Sequence, residues 1–381
     1  MVDREWRLVN GGAVINPFKP TAGAEPPVLV GRERVVRDFC DGIEEGVGAP
    51  ARLMRITGPR GSGKTVLLTE LGDVAKTYGW TVIDVVASGN LTDKIKRALR
   101  DRLPRADVSL RANLGLISAQ ADFAEPADQP DIREVLTEAA TRLTAKGSGL
   151  LVTVDEIQDG SEDEIRELAV AVQHLIRERQ NIAFAFAGIT TGVMNLINGR
   201  SLTFLRRAKA EELAAIPVAE VADSFEKTFS QKGIDASEAL INKMAYATQG
   251  YAYLIQLVGY GVFAEVKRHA TESLTLTEKD CDNGIARAYR DFDDAVLLPA
   301  LDELPQRAIE YLLAMTQDEE KSGTGTIARR MGLDPAQLTS TRRLLIGRQV
   351  VEAPSRGLVR FAIPRLREYL VDNREELLSR F

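Results

Sequence analysis

Apolar residues along the chain fall into two spacings, and the spacings alternate. Val35, Val36, Phe39 and Ile43 recur at helical intervals and predict a helix over 32–45, closed by Gly46, Gly48 and Pro50. Residues 52–57 then read as a short strand, followed by a glycine-rich turn and a helix over 64–78. WTVIDVV at 80–86 predicts a second strand, and 90–103 a helix for which Asn90 or Thr92 could serve as cap. GLLVTVD at 149–155 is nearly all apolar, as expected of a strand buried on both faces of a parallel sheet. An amphipathic helix over 162–179 carries Ile165, Leu168, Val172, Leu175 and Ile176. IAFAFA at 182–187 and a weaker segment at 211–216 complete five strands. Alternating strand and helix predicts an α/β domain on a parallel sheet with crossover helices.

Two segments depart from this rhythm. Residues 1–28 contain Pro17, Pro20, Pro26 and Pro27 and are expected to be irregular, because proline fixes φ and restricts the residue before it. Residues 106–123 alternate Val108, Leu110, Ala112, Leu114 and Leu116 with polar or small residues, predicting an inserted β-hairpin ahead of a helix over 132–145.

After Pro217 the strand pattern stops. Helices are expected over 219–231, 237–248, 251–268 and 277–289, the last opened by a capping pattern of Thr277 and Asp280. From about 292 a third pattern begins: helices at 304–315, 326–331 and 335–346, then a hairpin of 349–353 and 358–363 around Pro354-Ser355-Arg356-Gly357. Three helices and a hairpin predict a winged helix-turn-helix. The expected domains are therefore 1–217, 218–291 and 292–381.

Chemistry enters at the first strand's exit. Gly58-Pro59-Arg60-Gly61-Ser62-Gly63-Lys64-Thr65 matches the Walker A pattern between a strand and a helix. Glycines there let backbone amides wrap a phosphate chain, and the helix that follows, through Val66, adds its positive dipole end. Lys64 is expected on the β- and γ-phosphates of ATP, and the Thr65 hydroxyl on Mg²⁺. Asp155 and Glu156 leave the 149–155 strand at its C-terminal end, the edge where open α/β sheets bind ligands. Asp155 suits the Mg²⁺ shell, and Glu156 suits polarisation of the attacking water. Thr190, and after it Thr191, follow the next strand and could reach the γ-phosphate, or could cap the following helix. Arg206 and Arg207 precede the fifth strand. One of them could stabilise transition-state charge in a neighbouring subunit, which would make the chain a nucleotide-dependent homo-oligomer; equally, the two could be a solvated basic pair.

Composition narrows the picture. Of 381 residues, 49 are basic and 55 acidic, a net charge of −6. The charged N-terminus has no apolar leader core, and no apolar run approaches bilayer length, so no membrane association is expected. Two cysteines, Cys40 and Cys281, and two histidines, His174 and His269, lie too far apart for a disulfide framework or a zinc site. A cytoplasmic, reducing compartment is the expectation. The −6 is unevenly spread. Residues 321–367 hold ten basic and two acidic residues, a net +8 that leaves −14 on the rest. Such asymmetry fits contact with double-stranded DNA, with Arg342 and Arg343 on the recognition helix, Arg348 beyond it and Arg356 at the wing tip. A protein partner, or pairing of these arginines with the acidic part of the chain, is the alternative.

With Val30-Gly31-Arg32-Glu33 ahead of the first helix, the two Walker motifs, five strands, the helical lid and the winged helix, the sequence resembles the AAA+ class of P-loop ATPases over roughly 16–370. Within that class it is most similar to origin-recognition-complex-like and archaeal-type ATPases, related to the STAND signalling ATPases. The resemblance implies a sheet order of 5-1-4-3-2 with helices on both faces, and places Val30, Gly31 and Arg32 near the adenine. It also implies one departure. The lid position where many AAA+ proteins carry a γ-phosphate-sensing arginine is here Gln249-Gly250-Tyr251-Ala252-Tyr253-Leu254, without arginine, and Ala252 stands where STAND relatives favour proline. A slow, switch-like ATPase follows as the expectation.

Overall fold

The structure is a computed structural model that describes residues 15–21, 26–103, 131–198, 203–268 and 274–380. The hairpin expected over 106–123, residues 1–14 and His269 lie outside the described residues. The chain divides into two compact units. Of the described residues, one comprises those within Arg32–Gly58 and Gly63–Leu213; the other comprises those up to Gly31, Pro59–Ser62 and those from Ala214 onward.

The first unit is built on five parallel strands: β1 (Leu53–Thr57), β2 (Thr81–Val86), β3 (Leu150–Asp155), β4 (Ile182–Gly188) and β5 (Lys209–Glu212). Their spatial order is β2-β3-β4-β1-β5, the 5-1-4-3-2 order read from its other edge. β3 and β4 are buried along their whole length, which is why their sequences lack polar alternation. Successive side chains point to opposite faces. Leu150, Val152, Val154, Ile182, Phe184 and Phe186 join the core beneath helices Leu91–Arg102, Ile132–Thr144 and Glu162–Arg177. Helix Lys64–Thr77, with Leu67, Leu71 and Ala75 fully buried, packs on β2, β3 and β4.

β5 corrects the sequence expectation. It spans Lys209–Glu212 rather than 211–216. Its partner β1 ends at Thr57, paired with Glu212, and Leu213 N makes one last bond to Thr57 O. Beyond Thr57 the chain turns into the glycine loop, so 214–216 have no strand to pair with. Lys209 and Glu211 are further tied to helix Glu33–Glu45 through Asp38 and Arg34.

The second unit has helices Val218–Gln231, Glu238–Ala247, Ala252–Arg268 and Glu278–Phe292. The Thr277/Asp280 capping box forms as its spacing predicts. A π-helical segment, Asp293–Leu297, then carries the chain into helix Leu298–Asp302. Helices Gln306–Met315, Thr324–Arg330 and Thr339–Gly347 follow. Strands Ser322–Gly323, Val351–Glu352 and Leu358–Phe361 make an antiparallel sheet with Leu358–Phe361 in the centre.

Residues 15–21 and 26–31 cluster with this second unit, although the sequence reading grouped them with the sheet. Phe18 is the cause. It is 2% exposed and packs on Phe225 and Phe229, in a niche kept open by Gly259, where a Cβ would strike its ring. Asn16 Nδ2 donates to Tyr260 O (3.0 Å), and Lys19 N donates to Gln256 Oε1 (3.2 Å), so the segment is strapped onto helix Ala252–Arg268.

Candidate nucleotide site

Two strand ends meet at the C-terminal edge of the sheet. Gly58 follows β1, and Gly63, at φ +91°, starts helix Lys64–Thr77 in a conformation that side chains resist. Lys64 is 5% exposed and its Nζ donates to Gly58 O at 3.1 Å, so the ammonium is curled over the loop backbone. Thr65 Oγ1 donates to Asp155 Oδ2 at 2.5 Å, and Asp155 Oδ1 accepts from Glu156 N at 2.9 Å. Thr65 and Asp155 thus present a hydroxyl and a carboxylate side by side. Hard oxygen donors of this kind, few in number, fit Mg²⁺, which keeps waters and phosphate oxygens in its remaining positions.

Glu156 stands at φ +48°, ψ +46°, left-handed backbone that costs a non-glycine residue about 1–3 kcal/mol. The strain turns the chain out of β3, and the buried Ile157 anchors the next turn. Gln158 reaches back: its Nε2 donates to Glu156 Oε2 at 2.6 Å, while its Oε1 accepts from Ile189 N at 3.1 Å. Ile189 is the first residue after β4, and Thr190 opens helix Thr190–Asn198. The sheet edge therefore brings together Lys64, Thr65, Asp155, Glu156 and, through Gln158, the segment leading into Thr190. Sequence reading missed Gln158; its signal was an amide two positions after the carboxylate pair.

Of the two arginines ahead of β5, Arg206 donates from Nε to Ile197 O (2.7 Å) and from Nη2 to Asn198 O (3.1 Å), closing the end of helix Thr190–Asn198. Arg207 is exposed and has no hydrogen-bond partner among the described residues. Arg32 precedes helix Glu33–Glu45 and its carbonyl accepts from Val36 N, while Val66 sits in the first turn of the loop's helix.

Within the other unit, Pro59–Ser62 lie against Tyr251, whose hydroxyl donates to Arg60 O. Gly61, at φ +72°, leaves room for that ring; a Cβ there would lie 2.5 Å from the phenol oxygen. Tyr253 N donates to Gly61 O at 3.3 Å, and Ser62 N to Pro59 O at 3.4 Å. Burial pushes the Tyr251 phenol well above the ordinary tyrosine range, so it stays a hydrogen-bond donor. The stretch without arginine thus supplies a phenol that grips the loop backbone. Val30 is buried in the same unit, and Gly31, at φ +69°, packs on Ile216 and Glu220.

The C-terminal arginines separate into used and available. Arg348 pairs with Glu303 (2.7 Å), Arg330 with Asp318 (2.6 Å), Arg365 with Asp293 (3.5 Å), and Arg360 with Glu352. Arg367 donates to the carbonyls of Thr316 and Asp318. Arg342 is half-buried, close enough to Tyr311 to oppose the burial that pushes that phenol up to about 12. Arg343 and Arg356 are exposed, Arg343 on helix Thr339–Gly347 and Arg356 between the last two strands.

Residues 28–185 match the family model described as the AAA ATPase domain, and residues 294–370 match a domain of unknown function, DUF8462. No curated protein matches the sequence. Among solved structures, a Walker-type ATPase of Pyrococcus abyssi is similar at 15% identity, with a TM-score of 0.64 over 90% of this chain and 96% of that one. The Aeropyrum pernix ORC2 protein is similar at 15% identity and TM-score 0.61, covering 95% and 97%. Cdc6p of Pyrobaculum aerophilum follows at 16% identity and TM-score 0.50, also covering 95% and 97%. Residues 28–185 thus carry the match to the AAA ATPase domain. The chain as a whole has the AAA+ fold of origin-recognition-complex-like ATPases. Among the described residues, no helix is long and apolar enough to cross a membrane.

Proposed function

We propose that the chain is an ATP-hydrolysing regulatory ATPase that contacts double-stranded DNA through its C-terminal segment. The observation that carries the hydrolytic half is the placement of Glu156 beside a Thr65–Asp155 pair at one sheet edge. Lys64 holds the β- and γ-phosphates, and the amides of Gly63, Lys64 and Thr65 cradle them. Mg²⁺, held by Thr65 and Asp155, supplies charge neutralisation on the phosphates. Glu156 orients and polarises the water, with Thr190 near the γ-phosphate. Because Arg206 is committed to a helix end, Arg207 is the arginine available to a neighbouring subunit.

The C-terminal helices and antiparallel strands fit a winged helix, and the DNA contact rests on Arg343 of its third helix and Arg356 at its hairpin turn. A second reading, a nucleotide-dependent switch whose winged helix binds a protein, is favoured by the internal pairing of Arg330, Arg348, Arg360 and Arg365, which reduces the free positive surface. Steady-state ATP hydrolysis by wild type and Lys64→Ala tests the enzymatic half. Mg²⁺-dependent phosphate release that Lys64→Ala abolishes supports it; no release by wild type sinks it.

A further inference from the structure

We propose that Gln158 is a positioning residue for hydrolysis: it fixes the Glu156 carboxylate and ties it to the end of β4. The proposal rests on the ATPase reading above and adds a residue that reading does not need. The Gln158 amide has one possible orientation. Its oxygen accepts from the Ile189 N–H at 3.1 Å, so its nitrogen must face Glu156, to which it donates at 2.6 Å. One carboxylate oxygen of Glu156 is thereby held, and the other is left for a water. A freely rotating carboxylate would pay orientational entropy at each turnover; a held one does not.

The surroundings are shaped for this side chain. A Cβ on Gly188 would collide with Gln158 Oε1, and a Cβ on Gly192 would lie 2.7 Å from Gln158 Cβ. Both glycines border the Ile189–Thr191 segment, so the backbone gives up two side chains where the amide crosses. Glu156 is in strained left-handed backbone, and the Gln158 bridge is a contact that holds it there. The same bridge connects the water-polarising carboxylate to the residue preceding Thr190, so a shift of that segment is transmitted to Glu156 through two hydrogen bonds.

The test uses Gln158→Glu, which keeps the shape but replaces the donor by a carboxylate, and Gln158→Ala, which removes the bridge. Measured on the full chain with Mg²⁺ and ATP, both are expected to lose about tenfold or more in kcat. The ATP dissociation constant should stay within about twofold, because the amide bonds to Glu156 and Ile189 and to no residue of the phosphate loop. A merely structural role would instead move affinity along with rate. A Gln158→Glu kcat within about twofold of wild type overturns the proposal, as does a rate loss matched by an equal loss of ATP affinity. A wild type that binds ATP without hydrolysing it overturns the hydrolytic reading itself and this proposal with it, an outcome distinct from a normal wild type with normal Gln158 variants.

Discussion

Thr65 Oγ1 and Asp155 Oδ2 lie 2.5 Å apart although 90 positions separate them in the chain. The contact exists because β1 and β3 run parallel with β4 between them, so the turn after β1 and the end of β3 open on the same edge. Asp155 is 8% exposed, and a hydroxyl and a backbone N–H occupy its two oxygens. Removing its charge while keeping its shape isolates the metal-binding role. Asp155→Asn is expected to weaken Mg²⁺-dependent nucleotide binding by on the order of ten- to a hundredfold. Binding measured with EDTA should be nearly unchanged. Calorimetric titration with and without Mg²⁺ gives both numbers.

The Tyr251 hydroxyl on Arg60 O gives a second prediction. Tyr251→Phe deletes one hydrogen bond and is expected to cost about 1 kcal/mol of stability. The sign of its pH dependence follows from burial, which raises the phenol's folded-state value above its unfolded one, near 10. The stabilisation is then fully present below about pH 10 and is lost as pH rises further. Denaturant unfolding of wild type and Tyr251→Phe at pH 7 and pH 9.5 should therefore show the same difference. A penalty that vanishes by pH 9.5 would mean the phenol ionises in the fold.

For DNA, the arginines divide by what they already touch. Replacing Arg343 and Arg356 with alanine is expected to weaken retention of double-stranded DNA and to reduce the slope of log affinity against log salt by about 2. Arg348→Ala, whose guanidinium is paired with Glu303, should leave the slope unchanged and lower stability by less than about 1 kcal/mol. Absence of DNA retention by wild type at low salt favours the protein-partner reading.

Most of the sheet was legible in the sequence, because a strand buried on both faces is nearly all apolar and the Walker pattern names its own neighbours. β5 was expected to start two residues late and end four residues late: its apolar content is low, and its limits are set by where β1 stops pairing, which depends on the loop after Thr57. Phe18 could not be assigned to the helical unit, since its partners Phe225 and Phe229 lie some two hundred residues downstream. The pairing of Arg348 with Glu303 and the use of Arg206 at a helix end depend on how the chain folds back on itself, which no residue spacing marks. Lys64, Thr65, Asp155 and Glu156 were legible because their spacing from a strand or helix end fixes them. Gln158 and Tyr251 act through single hydrogen bonds to backbone or to a neighbouring carboxylate, which no periodicity records.

Glu156 carries the central claim of hydrolysis, and Glu156→Gln tests it most directly, since the change removes the charge and keeps the size. Phosphate release and ATP affinity should be measured on the same preparation. The predicted result is ATP binding within about twofold of wild type with turnover reduced by about a hundredfold or more. Turnover equal to that of wild type would contradict the assignment of Glu156 as the group that polarises the attacking water.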